Sequence, residues 1–272
     1  MKAHDENYHR LKQLKYNLKR TLYFLTNNVV VNNVLIALGM APYFSRRGNP
    51  YTTYVPADGK SVQENAGYSN REEINQVLAK SKKDLLLTAQ TQLKAGAKIL
   101  DIGCGPGMYL SLFKDGPYEL HATDINSGML ALARKEVPQA AFYEGDIHDL
   151  SIGQSFDMVY CIGVLIYIPP SGLKAFIEKT ASLLNDGGIL YLNFPHAISV
   201  WDSWYKDITY VQYSPAHLRK LLAPYFEIIA DHHAFDNRRI EAYDKAPYKS
   251  LNPDTHRTYK NSYLLVAKKK TS

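Results

Sequence analysis

The sequence predicts a doubly wound α/β domain: a mostly parallel, seven-stranded sheet with helices on both faces, preceded by an N-terminal helical extension. Three observations predict it. From Lys98 onward, short apolar runs alternate with helix-patterned segments, the signature of parallel strands buried on both faces. A glycine-rich turn, Gly103-Cys-Gly-Pro-Gly107, joins the first of these runs to the helical segment after it. Acidic residues stand at or beside the ends of successive runs, at Asp101, Asp124 and Asp146.

The elements follow in order. Leu11, Leu14, Leu18, Leu22 and Leu25 recur at three- and four-residue spacing with Lys12, Lys15 and Lys19 between them, which predicts an amphipathic basic helix. Residues 41–69, rich in Pro, Gly, Tyr and Asn, read as an extended connector. Ser69 with Glu72 three residues on forms a capping box. It starts a helix expected to reach Leu93, with Ile74, Val77, Leu78, Leu85, Leu86 and Leu87 as buried positions. Strands are expected at Ile99–Ile102, Leu120–Thr123, Ala140–Tyr143, Phe156–Cys161, Ile189–Phe194, Phe226–Ala230 and Tyr263–Ala267, and helices at Met108–Phe113, Ser127–Glu136, Gly172–Leu184 and Pro215–Leu222. Residues 1–68 thus read as a basic arm and Tyr-rich connector, and residues 69–272 as the α/β domain, with an insertion at about 234–261.

Composition narrows the class. A chain of 272 residues, 46% hydrophobic and 21% charged, suits one globular α/β domain with accessory segments and excludes wholesale disorder. The two cysteines, Cys104 and Cys161, lie in expected core segments and form no Cys/His cluster, which points to a reducing cytosol and predicts no zinc site or disulfide. Asn32 and Asn33 interrupt the apolar run Val29–Ala41, short of the roughly 18 residues a spanning helix needs. Residues 1–50 hold eight basic and two acidic residues, an excess equal to the whole net charge of +6. The basic surplus therefore belongs to the arm, which could touch an anionic acceptor or a membrane surface.

The glycine turn carries the most information. Glycine is required where the chain bends sharply and where backbone must approach a ligand without a Cβ between them. A dinucleotide fingerprint would place its third glycine at position 108, which is Met108; here it is Gly107. This G-x-G-x-G loop suits an amino-acid and sulfonium moiety, and Asp101 beside it suits a cation and would repel a pyrophosphate. Asp124, roughly 20 residues on, can accept bonds from two ribose hydroxyls, and Asp146 can reach an adenine amino group.

Residues 97–194 resemble the core of the class I S-adenosylmethionine-dependent methyltransferases, which have a Rossmann-like fold. Leu100-Asp-Ile-Gly-Cys-Gly-Pro-Gly107 matches the family's first motif, Asp124 its second-strand acid, and Asp146 with Ile147 its adenine contacts. Phe156–Leu165 matches the fourth-strand motif and Asn185–Leu190 the turn into the fifth strand. The resemblance implies S-adenosyl-L-methionine as cofactor, held by Asp101, Gly103, Cys104, Gly105, Gly107, Asp124, Ile125, Asp146, Ile147 and Cys161, with no metal. Tyr51, Tyr54 and Tyr68 are candidates to cover the sulfonium by cation–π contact.

The acceptor is less legible. Methyl transfer from a sulfonium is an in-line displacement, so positioning can supply much of the catalysis, and a base is needed only where the acceptor must lose a proton. His196 and Tyr167 are the expected catalytic candidates, with His232 and His233 behind them. The Asn/Asp-Pro-Pro-Tyr motif of adenine and glutamine methylation is missing after the fourth strand, where Cys161-Ile-Gly-Val164 stands, and no carboxylate cluster prepares a magnesium site. A sugar, a lipid-linked intermediate or a secondary metabolite is the expected acceptor. Nucleic-acid methylation through the basic arm and a non-catalytic cofactor-binding partner are the alternatives.

Overall fold

The computed structural model describes residues 54–66, 72–195, 213, 215–233 and 262–271, with Val34 alone before them. The expected basic helix, Tyr51, Tyr68, Ser69, His196 and the insertion at 234–261 lie outside the described residues.

In chain order the elements are α1 (Val62–Asn65), α2 (Glu72–Gln92), β1 (Lys98–Ile102), β2 (Glu119–Asp124), α3 (Ser127–Glu136), β3 (Ala141–Glu144), β4 (Phe156–Ile162), α4 (Pro170–Leu183), β5 (Leu184–Pro195), α5 (Pro215–Leu222), β6 (Phe226–His233) and β7 (Ser262–Lys269). The strands form one seven-stranded sheet in the order β3-β2-β1-β4-β5-β7-β6. β1 to β5 run parallel, and β7 runs antiparallel between β5 and β6. The chain walks outward from β1 to β3 and then crosses back to β4. The strand order therefore reverses between β1 and β4, which opens a crevice at their carboxyl ends.

Alternation along the strands sorts the core into two layers. Ile99, Met158, Tyr160, Ile189 and Tyr191 face α2 and α3, where Leu78, Leu85, Ala89, Leu130 and Ala133 meet them. Leu100, Val159, Cys161, Leu190 and Leu192 face α4 and α5, against Phe176, Ile177, Leu218 and Leu222. Each large apolar side chain buried this way contributes roughly 1.5–3 kcal/mol.

The structure differs from the sequence reading at four places. In α2, Leu78 and Leu85 are buried and Leu86 partly so, but Leu87 is 54% exposed. Ala89 takes the inward position instead, four residues after Leu85 on the same helical face. The helix expected at Met108–Phe113 is only a 3-10 turn, Leu110–Phe113. Gly107 precedes this stretch and Asp115-Gly-Pro117 follows it, leaving too little chain for two α-turns. β5 begins at Leu184, earlier than expected. Leu184 pairs with Phe156 and Ile189 with Met158, so Asn185–Gly188 forms a bulge within the strand. Finally, β6 continues through His232 and His233, which pair with Leu264 and Tyr263. These histidines therefore end a strand and do not sit in a loop.

Candidate functional site

At the carboxyl ends of β1, β3 and β4, the turn is hooked onto a neighbouring strand. The amides of Gly103 and Cys104 both donate to the Thr123 carbonyl, at 2.8 and 2.9 Å. Gly145 N donates to Asp124 O and Gly163 N to Asn193 O, each at 3.0 Å. These cross-links fix the strand ends relative to one another before any ligand arrives.

Within the loop the glycines have separate tasks. Gly103 has φ +72°, and a Cβ there would lie 2.3 Å from Val164 Cγ2, so this glycine permits contact between the β1 and β4 turns. Gly105 has φ +52° and open space where its Cβ would stand. That open space leaves the backbone approachable without a side chain intervening.

Asp124, the last residue of β2, reaches across to the loop. Its Oδ2 accepts the Gly105 amide at 2.8 Å and its Oδ1 the Asn126 amide at 2.9 Å. Burial raises its pKa, while the amides of Asn126, Gly105 and Ile125 pull the other way. Each oxygen keeps a lone pair for a further donor. Behind the loop, Asp101 is 3% exposed and its Oδ2 accepts the Tyr160 hydroxyl at 2.9 Å. Burial pushes this carboxyl up to about 8; the Tyr160 bond lowers it and nearby Asp124 raises it.

Asp146 follows β3 and is more open. Its Oδ1 accepts both the backbone amide of His148, at 2.9 Å, and the His148 ring nitrogen Nδ1, at 2.7 Å. Burial raises its pKa, but the two His148 contacts outweigh that and hold the group below the ordinary carboxylate value. Cys104 and Ile147 lie in opposite core layers beneath the crevice, and Cys161 is fully buried on the α4 side. Tyr167 ends the 3-10 turn Leu165–Tyr167 beyond β4. The Tyr213 hydroxyl anchors this turn by donating to Ile168 O at 2.6 Å.

The structure thus brings Asp101, Gly103, Gly105, Asp124 and Asp146 to one end of the sheet. Several contributors were not singled out in the sequence: Thr123 as the loop's anchor, Tyr160 as the partner of Asp101, His148 as the partner of Asp146, and Asn126 beneath Asp124. The alternation of β4 could have pointed to Tyr160, since it shares a face with Asp101 across the parallel pair Asp101↔Tyr160.

The donor set fits an adenosine carrying a cationic tail. A buried carboxyl held near pH 8 has no compensating cation among the described residues, an open gap stands over Gly105, and two further carboxylates line the adjoining strand ends. Among the described residues no group of three or more His, Cys, Asp or Glu could hold a metal ion.

A methyltransferase-domain profile matches residues 99–188. The chain is 33% identical over 110 residues to the dTDP-3-amino-3,6-dideoxy-α-D-glucopyranose N,N-dimethyltransferase of Streptomyces fradiae, covering 39% of this chain and 43% of that protein. It is 28% identical over 161 residues to the trans-aconitate 2-methyltransferase of Variovorax paradoxus, covering 53% and 60%. The chain therefore spans about half the length of these curated relatives. Among solved structures, the N-methyltransferase NodS from Bradyrhizobium japonicum aligns over 78% of this chain and 97% of its own, with TM-score 0.56 and 14% identity. The magnesium protoporphyrin IX methyltransferase of Synechocystis aligns over 85% and 95%, with TM-score 0.54 and 21% identity. These two likenesses concern the fold. With the profile match falling on the glycine turn and the acid-bearing strand ends just described, residues 99–188 are a methyltransferase domain of the class I, S-adenosylmethionine-dependent family.

Proposed function

We propose that the chain transfers a methyl group from S-adenosyl-L-methionine to an anionic small molecule, a nucleotide-linked sugar or a carboxylic acid, by holding donor and acceptor in line. The observation that carries this reading is the Asp124 carboxylate bonded to the amide of Gly105, which joins an acid and an open glycine loop at the switch point of the sheet.

When bound, the cofactor supplies an electrophilic methyl on a sulfonium, so the acceptor–carbon bond forms as the sulfur–carbon bond breaks. The chain's own residues do the rest. Gly103, Gly105 and Gly107 leave backbone free to approach the amino-acid portion, with Cys104 holding the loop to the core. Asp101 meets positive charge, and Asp124 accepts from the ribose hydroxyls. Asp146 accepts from the adenine amine, with Ile125 and Ile147 framing the base and Cys161 supporting the floor. His196 and Tyr167 orient the acceptor or take its proton, and Tyr68 covers the sulfonium. Removing water from this crevice strengthens each of these charge contacts.

Two points favour an anionic small molecule. The acceptors named for the Streptomyces and Variovorax relatives, a dTDP-sugar and trans-aconitate, are both anions. The first 50 residues carry the chain's whole positive excess. In this reading residues 1–68 and the insertion at about 234–261 flank the acceptor side of the 69–272 domain. The setting is the cytosol, with peripheral contact to anionic membranes through the basic helix.

The test is transfer of labelled methyl from the cofactor to a fractionated cell extract and to defined amino-sugar nucleotides and tricarboxylates. Label in the anionic small-molecule fraction is expected. Label confined to RNA, DNA or protein would overturn the acceptor class, and no transfer to any fraction would favour a non-catalytic partner.

A further inference from the structure

Asn126 lies at the junction of three structures. It is 5% exposed, immediately before α3. Its backbone amide donates to Asp124 Oδ1 at 2.9 Å. Its side-chain Oδ1 caps α3 by accepting the Met129 amide at 2.8 Å. Its Nδ2 donates to the carbonyl of Tyr54 at 2.7 Å, across 72 residues of sequence. One residue thus joins three parts: its side chain ties a preceding segment to the helix, and its backbone amide holds the carboxylate at the end of β2.

That segment, residues 54–66, is organised to be held. Asn65 is 3% exposed, and its Oδ1 accepts both the Ala57 amide at 3.2 Å and the Tyr54 hydroxyl at 3.3 Å. Its Nδ2 returns to Lys60 O at 3.3 Å, and Ser61 and Glu64 close a capping box on α1. Pro56 presses on the first turn of α3, where a Cβ on Gly128 would lie 2.8 Å from Pro56 Cδ and 3.2 Å from Asn126 Oδ1. The segment is tied to the start of α3 through the Asn126 side-chain amide and the bare backbone of Gly128, and to α2 through Gln63 Nε2, which donates to Asn75 Oδ1 at 3.0 Å.

We infer that residues 54–66 form a strap retaining the cofactor at the ribose end of the crevice, with Asn126 as the positioning residue that couples docking of the strap to the Asp124 carboxylate. The inference rests on the proposed cofactor site. Occupancy of Asp124 steadies the β2–α3 corner and with it the strap. A docked strap in turn slows departure of the product S-adenosylhomocysteine. Such reciprocity is required of any coupled pair of equilibria.

Two variants separate this role from helix capping. Asn126→Ser keeps a good cap for α3 but removes the donor to Tyr54. Gly128→Ala supplies a better helix former and pushes hardest on Pro56, with a smaller push on the Asn126 cap, so it undocks the strap while the gain in helix propensity offsets the strain on the cap. The experiment is hydrogen exchange of residues 54–66 in the full chain, with and without S-adenosylhomocysteine, alongside the rate of S-adenosylhomocysteine release. In the wild-type chain the ligand is expected to slow exchange in the strap. Both variants are expected to abolish that protection and speed release about tenfold, with melting temperatures within a few degrees of wild type. Wild-type release rates and wild-type protection in both variants would overturn the inference. A wild-type chain that fails to bind S-adenosylhomocysteine would instead overturn the parent site, a distinguishable result because strap exchange in the ligand-free variants remains measurable.

Discussion

Tyr160 donates its hydroxyl to Asp101 Oδ2 at 2.9 Å, between neighbouring strands and wholly inside the protein. The carboxyl it supports has no compensating cation among the described residues, and burial lifts it from 3.8 to about 8. Because the folded value lies above the unfolded one, the group's contribution to stability is complete below about pH 4 and is lost as pH rises towards and through 8. Asn in its place does not titrate. The melting temperature of ligand-free wild type is therefore expected to fall relative to Asp101→Asn between pH 5 and 9. Parallel curves for the two proteins would count against an uncompensated carboxyl.

The same carboxyl links cofactor binding to protons. A cation beside Asp101 favours its ionised form, so binding at pH 7 is expected to release protons and to tighten as pH rises towards 8. Tyr160→Phe removes a bond that lowers the Asp101 value, which moves this dependence to higher pH and weakens binding at pH 7 about tenfold. Calorimetry in buffers of different ionisation enthalpy reads the proton count directly.

Gly103 and Gly105 should fail in different ways. Alanine at Gly103 drives a Cβ into Val164, and the measured consequence should be lost stability, about 2 kcal/mol or more by urea unfolding. Alanine at Gly105 meets no protein atom, so the fold should lose only the roughly 1–2 kcal/mol of a positive φ. Its Cβ instead enters the ligand's space, and cofactor affinity should drop at least tenfold. Equal binding by wild type and Gly105→Ala would mean the gap is not used.

How much of this was legible in the sequence depends on what each stretch of chain must satisfy. The sheet was legible because buried parallel strands are nearly continuous apolar runs, and the carboxylates at their ends were legible because they break those runs. The inward face of α2 was not, since Leu85-Leu86-Leu87 offers three adjacent apolar positions and no phase; contact with β1 and β4 settles it on Leu85 and Ala89. Asn185–Gly188 reads in the sequence as a turn into the fifth strand, whereas the structure makes it a bulge inside β5, which depends on pairing with β4 on both sides of it. The continuation of β6 through His232 and His233 likewise comes from antiparallel pairing with β7. Asn126 and Tyr160 act through partners 72 and 59 residues distant, and neither partner is marked by local sequence.

The phase of α2 is open to a stability test. Leu85→Ala empties a fully buried position and should cost about 2–5 kcal/mol, whereas Leu87→Ala, at a site 54% exposed, should stay within about 0.5 kcal/mol. Similar losses from both in chemical denaturation would contradict the register of the helix.

Acid should expose a second titrating group. His121 takes a bond from the Gln154 amide at 3.1 Å through the unprotonated Nδ1, and burial followed by the Lys98 charge lowers its pKa. A depressed folded value means that stability is fully present above about pH 6.5 and is lost as pH falls through the lowered value. His121→Phe should remove that part of the acid slope in a pH series of melting curves.

If Asp124 and the loop it holds grip the cofactor's ribose, titration calorimetry of S-adenosylhomocysteine into wild type and Asp124→Ala will separate the two proteins. Saturable binding to wild type is expected, with an affinity at least tenfold weaker in a variant that still melts cooperatively. Equal affinity for the two proteins would contradict it.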